Sequence, residues 1–180
     1  MSSSEGMPSI EPSEGYVRFV RERREQILAR LTRACERAGR NASEVTLAAV
    51  SKTVGPAEVV AAMRAGYEVF AENRPQELVR KLDAFAAAGI EAPRFDMIGN
   101  LQKNKINQVL GRATLVQSIS SESLAEAVSK RAEREGLCVP VLLECNVSGE
   151  LSKGGFSPDE VCAAVDDLLG LPGIRIEGVM

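Results

Sequence analysis

Histidine is absent from this 180-residue chain, and so is tryptophan. Without histidine, Ser-His-Asp and Cys-His nucleophile systems are excluded, and the commonest metal ligand is missing. The four cysteines, Cys35, Cys138, Cys145 and Cys162, contain no Cys-x-x-Cys pair. That argues against a zinc site, and with no export signal the expectation is four free, buried thiols. No apolar run approaches the roughly 18 residues of a membrane span. Neither sign of charge dominates: 22 Lys and Arg face 25 Asp and Glu, a net charge of -3. A general attraction to nucleic acid or to an anionic membrane is therefore not expected. Residues 1–14 lack the basic start and apolar core of a secretory signal. Rich in Ser, Pro, Gly and Glu, they are expected to form a disordered tail on a cytoplasmic protein. The sequon Asn146-Val147-Ser148 has no role in such a compartment. Any chemistry falls to Lys, Glu, Asp, Tyr, Ser or a cofactor.

What is present is an ordinary globular composition, 44% hydrophobic and 26% charged, with a regular rhythm. An amphipathic helix is expected over residues 15–40, its basic and acidic run 21–25 facing solvent. Strands are expected at 45–51, 67–71, 94–99, 114–119, 139–146 and 174–180. The intervening helices are 56–65, 75–88, one ending near Gly111, 122–135 and 158–169. Pro56, Pro75 and Pro158 suit first helical positions, and Ser157-Pro158-Asp159-Glu160 forms a capping box. Alternating strands and helices require a parallel sheet with right-handed crossovers. No Gly-x-Gly-x-x-Gly follows any strand, so a dinucleotide fold has no fingerprint. Instead polar residues recur where strands end: Lys52, Glu72-Asn73, Asn100, Ser118 and Asn146. In a (β/α)8 barrel of the TIM type such positions share the catalytic rim. The expected fold is therefore α/β, a (β/α)8 barrel with strands seven and eight missing. Residues 15–180 would form this incomplete domain, with open sheet edges prone to self-association.

Lys52 is the candidate for chemistry. It follows the apolar run 45–51, where a buried lysine is costly unless it has a task. Desolvation favours the neutral amine, which attacks aldehydes and forms Schiff bases.

The motifs Ala49-Val50-Ser51-Lys52-Thr53, Phe70-Ala71-Glu72-Asn73-Arg74-Pro75-Gln76-Glu77, Ile98-Gly99-Asn100-Leu101-Gln102-Lys103-Asn104-Lys105 and Asn146-Val147-Ser148-Gly149 follow one another in this order. In this the chain resembles the pyridoxal-phosphate homeostasis protein family, relatives of the alanine racemase N-terminal barrel, over roughly residues 15–180. The resemblance implies pyridoxal 5′-phosphate (PLP) as cofactor, held as a Schiff base on Lys52. It implies a role in vitamin B6 balance without robust turnover. Asn73, Asn100 and Met180, at the ends of strands two, three and six, are the further cofactor-contact candidates. PLP-dependent apo-enzymes are the candidate partners, and the full-length parent would be a monomer. The chain departs from the family where Trp-His-Phe-Ile-Gly-His is replaced by Phe95-Asp96-Met97-Ile98-Gly99-Asn100, and at Ala71 and Pro75. The family's phosphate-binding residues follow strands seven and eight.

Other readings sit beside this one. Lys103, Lys105 and Lys153 are either solvated surface or recruits for an anionic phosphate. Residues 148–155 could make an anion-binding turn. A racemase or another Schiff-base enzyme is the second functional reading. It is disfavoured because Tyr16 and Tyr67 are the only tyrosines, and Tyr67 lies at the wrong end of its strand. A third reading is a truncated fragment with impaired cofactor binding.

Overall fold

The computed structural model describes residues 10–150 and 154–180. It divides into two compact units, one of residues up to Val69 with Lys81–Pro93, the other of Phe70–Arg80 with Arg94–Met180. Strands and helices alternate throughout, and the six strands succeed one another in the order β1-β2-β3-β4-β5-β6.

In the first unit α1 (Glu14–Arg37) starts at Ser13, whose hydroxyl accepts the Tyr16 N–H. It packs on α2 (Pro56–Arg64), burying Val17 and Cys35 on one helix and Val59, Val60 and Ala61 on the other. The charged run is solvated as expected, apart from the half-buried Arg24. Of the expected disordered tail, residues 1–9 lie outside the described residues. Glu11 carries an ion pair to Arg64 at 2.6 Å. β1 spans only Ala48–Val50, and this overturns the expected buried strand over 45–51. Its two alanines are half-buried and Val50 is 53% exposed. Side chains this small cover little apolar area, and a turn closes at once, Val54 N–H donating to the Ser51 carbonyl at 3.1 Å.

The second unit holds most of β2 (Val69–Glu72), then β3 (Arg94–Met97), β4 (Leu115–Ile119), β5 (Val139–Leu143) and β6 (Ile174–Val179). β3 to β6 pair in parallel with their sequence neighbours. α4 (Glu122–Arg134) and α5 (Pro158–Leu169) cover one face of the sheet. Val128, Ala132, Ala164 and Leu168 meet Val116, Val139, Val141 and Leu143 in a single apolar cluster. Ser121 caps α4, and Ser157 with Glu160 boxes α5 as the sequence predicts. Between β3 and β4 the expected helix is instead a 3-10 turn, Lys103–Gln108, opened by the Lys105 N–H bonding the Gln102 carbonyl. Ile106, Val109 and Leu110 anchor this segment in the cluster. α3 (Pro75–Ala87) spans the boundary between the two units.

All four cysteines are free, but the expectation that all are buried holds only for Cys35: Cys145 is half-buried, and Cys138 and Cys162 are exposed. α5 buries Ala164 and Leu168, one turn apart, and Cys162, two residues before Ala164, falls on its other side. No helix among the described residues is long and apolar enough to cross a membrane.

Candidate functional site

Lys52 leaves the end of β1 in the turn that closes at Val54. Its side chain is exposed, which corrects the expected desolvated amine. Among the described residues its amine has no hydrogen-bond or ion-pair partner. The residue before it is fixed from beneath: Lys81 Nζ donates to the Ser51 carbonyl at 2.7 Å, and both residues are buried. The reactive-looking lysine is thus the exposed one, and the desolvated lysine has a structural hydrogen bond. Lys81 was missed in the sequence. Its signal is position: on α3 it lies three residues after Leu78 and four before Phe85, both fully buried, on one apolar face.

Asn73 and Asn100 are brought together. They line an open cleft of about 480 Å³ with Arg74, Pro75, Gln76, Glu77, Gln102 and Lys105. The ends of β2 and β3 are clamped by the Ile98 N–H on the Glu72 carbonyl at 2.9 Å. Gly99 makes the clamp tight. A Cβ there would stand 2.0 Å from the Asn73 carbonyl oxygen, so no larger residue fits without moving backbone. Ser118 Oγ donates to the Gly99 carbonyl at 2.6 Å from the next strand. Gly99 too was missed as a site-forming residue; its only signal was a glycine at a strand end. Asp96, where the resembling family carries its first histidine, is buried and accepts from Gln117 at 2.9 Å and Arg94 at 3.1 Å.

Met180 lies where β6 meets the end of β5. Its N–H donates to the Leu143 carbonyl at 2.8 Å and its own carbonyl accepts from Cys145 at 2.9 Å. Its side chain is 49% exposed and does not line the cleft. Burial pushes the Cys145 thiol up, so it is a poor nucleophile. The described residues of the turn after β5, Asn146 to Glu150, bond to one another. Asn146 Oδ1 accepts from the Gly149 N–H at 3.1 Å and from the Ser148 hydroxyl at 3.1 Å. The expected anion-binding stretch continues through residues 151–153, with Lys153, outside the described residues. Lys103 is exposed, and Lys105 is half-buried in the cleft wall. Tyr67 sits at the entry to β2 under the Arg24 guanidinium, 5.7 Å from its ring centroid. Burial raises its hydroxyl above the ordinary range, and Arg24 partly opposes this.

Residues 25–180 match the family described as alanine racemase, N-terminal domain. A pyridoxal phosphate homeostasis protein of Aquifex aeolicus is 36% identical over 159 residues, covering 88% of this chain and 68% of that protein. A crystal structure of an unknown protein from Bifidobacterium adolescentis superposes with a TM-score of 0.85 at 37% identity, covering 93% of this chain and 71% of that one. PipY of Synechococcus elongatus, solved with PLP bound, gives a TM-score of 0.70 at 27% identity, covering 83% and 68%. The chain belongs to the alanine racemase N-terminal domain family and, by its curated relatives, to the pyridoxal phosphate homeostasis proteins.

Proposed function

We propose that the protein holds PLP as a Schiff base on Lys52 and serves PLP homeostasis in the cytoplasm. The observation that carries this reading is the accessible Lys52 amine, without a competing partner among the described residues, at the end of β1 in a chain of this family. A primary amine free of ion pairs is the donor that an aldehyde cofactor needs. When bound, PLP supplies the aldehyde and the electron-withdrawing ring. Lys52 supplies the amine, Lys81 holds the carbonyl of the preceding residue, and Asn73, Asn100 and Met180 are the proposed contacts. We read the six-stranded sheet as part of a barrel of the alanine racemase kind.

The role is that of a carrier or regulator, with PLP-dependent apo-enzymes as recipients. Racemisation needs acid and base groups on both faces of a substrate. Tyr16 is exposed on α1, stacked beside Phe19 at 6.2 Å, and Tyr67 lies before β2 under Arg24. Neither is placed at a strand's carboxyl end. The test is borohydride reduction of the protein with PLP, followed by peptide mapping. Label on Lys52 is expected. Label confined to other lysines would overturn the assignment, and alanine turnover lost in Lys52→Ala would overturn the non-catalytic role.

A further inference from the structure

We propose that the cleft at the amino ends of β1 and β2 is a ligand site for a small aliphatic monocarboxylate, whose carboxylate pairs with the Arg24 guanidinium and whose tail lies on Leu28, Val45, Leu47 and Val69. The cleft holds about 280 Å³ and is lined entirely by residues of the first unit. It is separate from the candidate cofactor residues. Its lining segments 45–47 and 66–69 lead into β1 and β2, whereas Lys52 and Asn73 follow those strands.

Arg24 carries the inference because it is not a solvated surface cation. It is half-buried, and its Nε is shut off from solvent with no hydrogen-bond partner among the described residues. The guanidinium stands over the Tyr67 ring and against Gly66, where a Cβ would lie 3.2 Å from Cζ and 3.3 Å from Nη1. Gly66 has a φ of +94°, so both its backbone and this contact call for glycine. Ring and backbone hold the group in place, yet among the described residues no carboxylate pairs with it. The cation has given up hydration without gaining an anion, and an external counter-charge would stabilise it. A planar carboxylate accepts two parallel N–H bonds from a guanidinium. Tyr67 adds a second donor: burial raises its hydroxyl above the ordinary range, so at neutral pH it remains an O–H, and it bonds no other described residue.

Charge and size select the ligand class. The one carboxylate in the wall, Glu68, is exposed and makes no ion pair with Arg24. Beside it a dianion is poorly matched, whereas a monoanion uses the half-buried cation while water screens Glu68. About 280 Å³ lies at the small end of ligand clefts, and the apolar wall covers a short aliphatic tail. The site is also built in advance. The Gly66 N–H on the Met63 carbonyl at 2.9 Å and the Tyr67 N–H on the Ala62 carbonyl at 3.0 Å fix this ledge to the end of α2.

The experiment is a nuclear magnetic resonance titration of the isotope-labelled protein with three probes: isovalerate; isovaleramide, the same tail without the charge; and acetate, the charge without the tail. Isovalerate is expected to bind most tightly and to shift the Gly66 and Tyr67 amides. Its affinity should fall about ten-fold or more in Arg24→Gln, the size of a lost charge-assisted hydrogen bond. It should fall about three-fold in Tyr67→Phe, which keeps the ring beneath Arg24 and loses only the hydroxyl. Tyr67→Phe decides the matter if Arg24→Gln is misfolded by circular dichroism. Unchanged affinity in the deciding variant, shifts confined to residues outside the cleft, or no binding of isovalerate would overturn the site. Equal or tighter binding of isovaleramide would overturn the carboxylate assignment, and equal or tighter binding of acetate the aliphatic one. Lys52→Ala is expected to leave isovalerate affinity unchanged; a loss there would overturn the separation of this cleft from the cofactor lysine.

Discussion

β1 and β5 are both short strands with small or apolar side chains, yet they end in opposite circumstances. β5 alternates, with Val139, Val141 and Leu143 buried against α4 and α5, and parallel partners on both sides. β1 has three residues, two of them alanine, and its last side chain is largely solvated. At the end of the strand that carries most of the packing, the described turn residues Asn146 to Glu150 bond to one another. The strand that carries least presents Lys52. A lysine that must meet an aldehyde needs access more than burial, and a weakly packed strand end provides it. Holding that end in place falls to Lys81, a buried lysine bonded to the Ser51 carbonyl.

This contrast can be broken by substitution, and the largest effect is expected in β5. Leu143→Ala removes a fully buried side chain from the cluster and should cost about 2–5 kcal/mol, measured by urea denaturation. A smaller loss would mean that the β5 face is less tightly packed than described. Next is Gly99→Ala, where the added Cβ meets the Asn73 backbone. About 1–3 kcal/mol is expected, together with altered cleft geometry. Unchanged stability would deny the clamp.

A smaller effect belongs to the cap of α5, the helix that backs β5. The Ser157 backbone N–H and hydroxyl hold the Glu160 carboxyl below its ordinary range. A carboxylate whose folded value is depressed adds stability above its unfolded value. That stability is lost as pH falls through the folded value. Wild type should therefore melt above Glu160→Gln near neutral pH, and the gap should close in acid. A gap independent of pH would show that the charge plays no part. Smallest is Val50→Ala, expected to change stability by less than about 0.5 kcal/mol because Val50 is already solvated. A large loss there would erase the contrast between the two strands.

Much of this was legible in the sequence because it is local. Ser157 marks a helix start through hydrogen bonds within three residues and Pro158 through its fixed backbone angle, and the strand-helix rhythm gives the α/β class. Lys52, Asn73, Asn100 and Met180 are all found at strand ends. What was not legible depends on contacts across the chain. Residues 45–51 read as buried because they are apolar, but burial requires a covering neighbour that composition cannot report. Lys81 reads as a surface lysine until its bond to Ser51, thirty residues away, is known. The cleft depends on Gly99 approaching Asn73, a fact of packing that no motif spells out. The 3-10 turn at Lys103–Gln108 reflects anchoring by Ile106, Val109 and Leu110, which overrides the expectation of an α-helix.

The central claim is that the exposed lysine, not the buried one, carries the cofactor. Intact-mass measurement after incubation with a stoichiometric amount of PLP and borohydride reduction tests it most directly. Wild type is predicted to gain the mass of one reduced cofactor, and Lys52→Ala to gain none while remaining folded. An equal gain in both proteins would contradict the account.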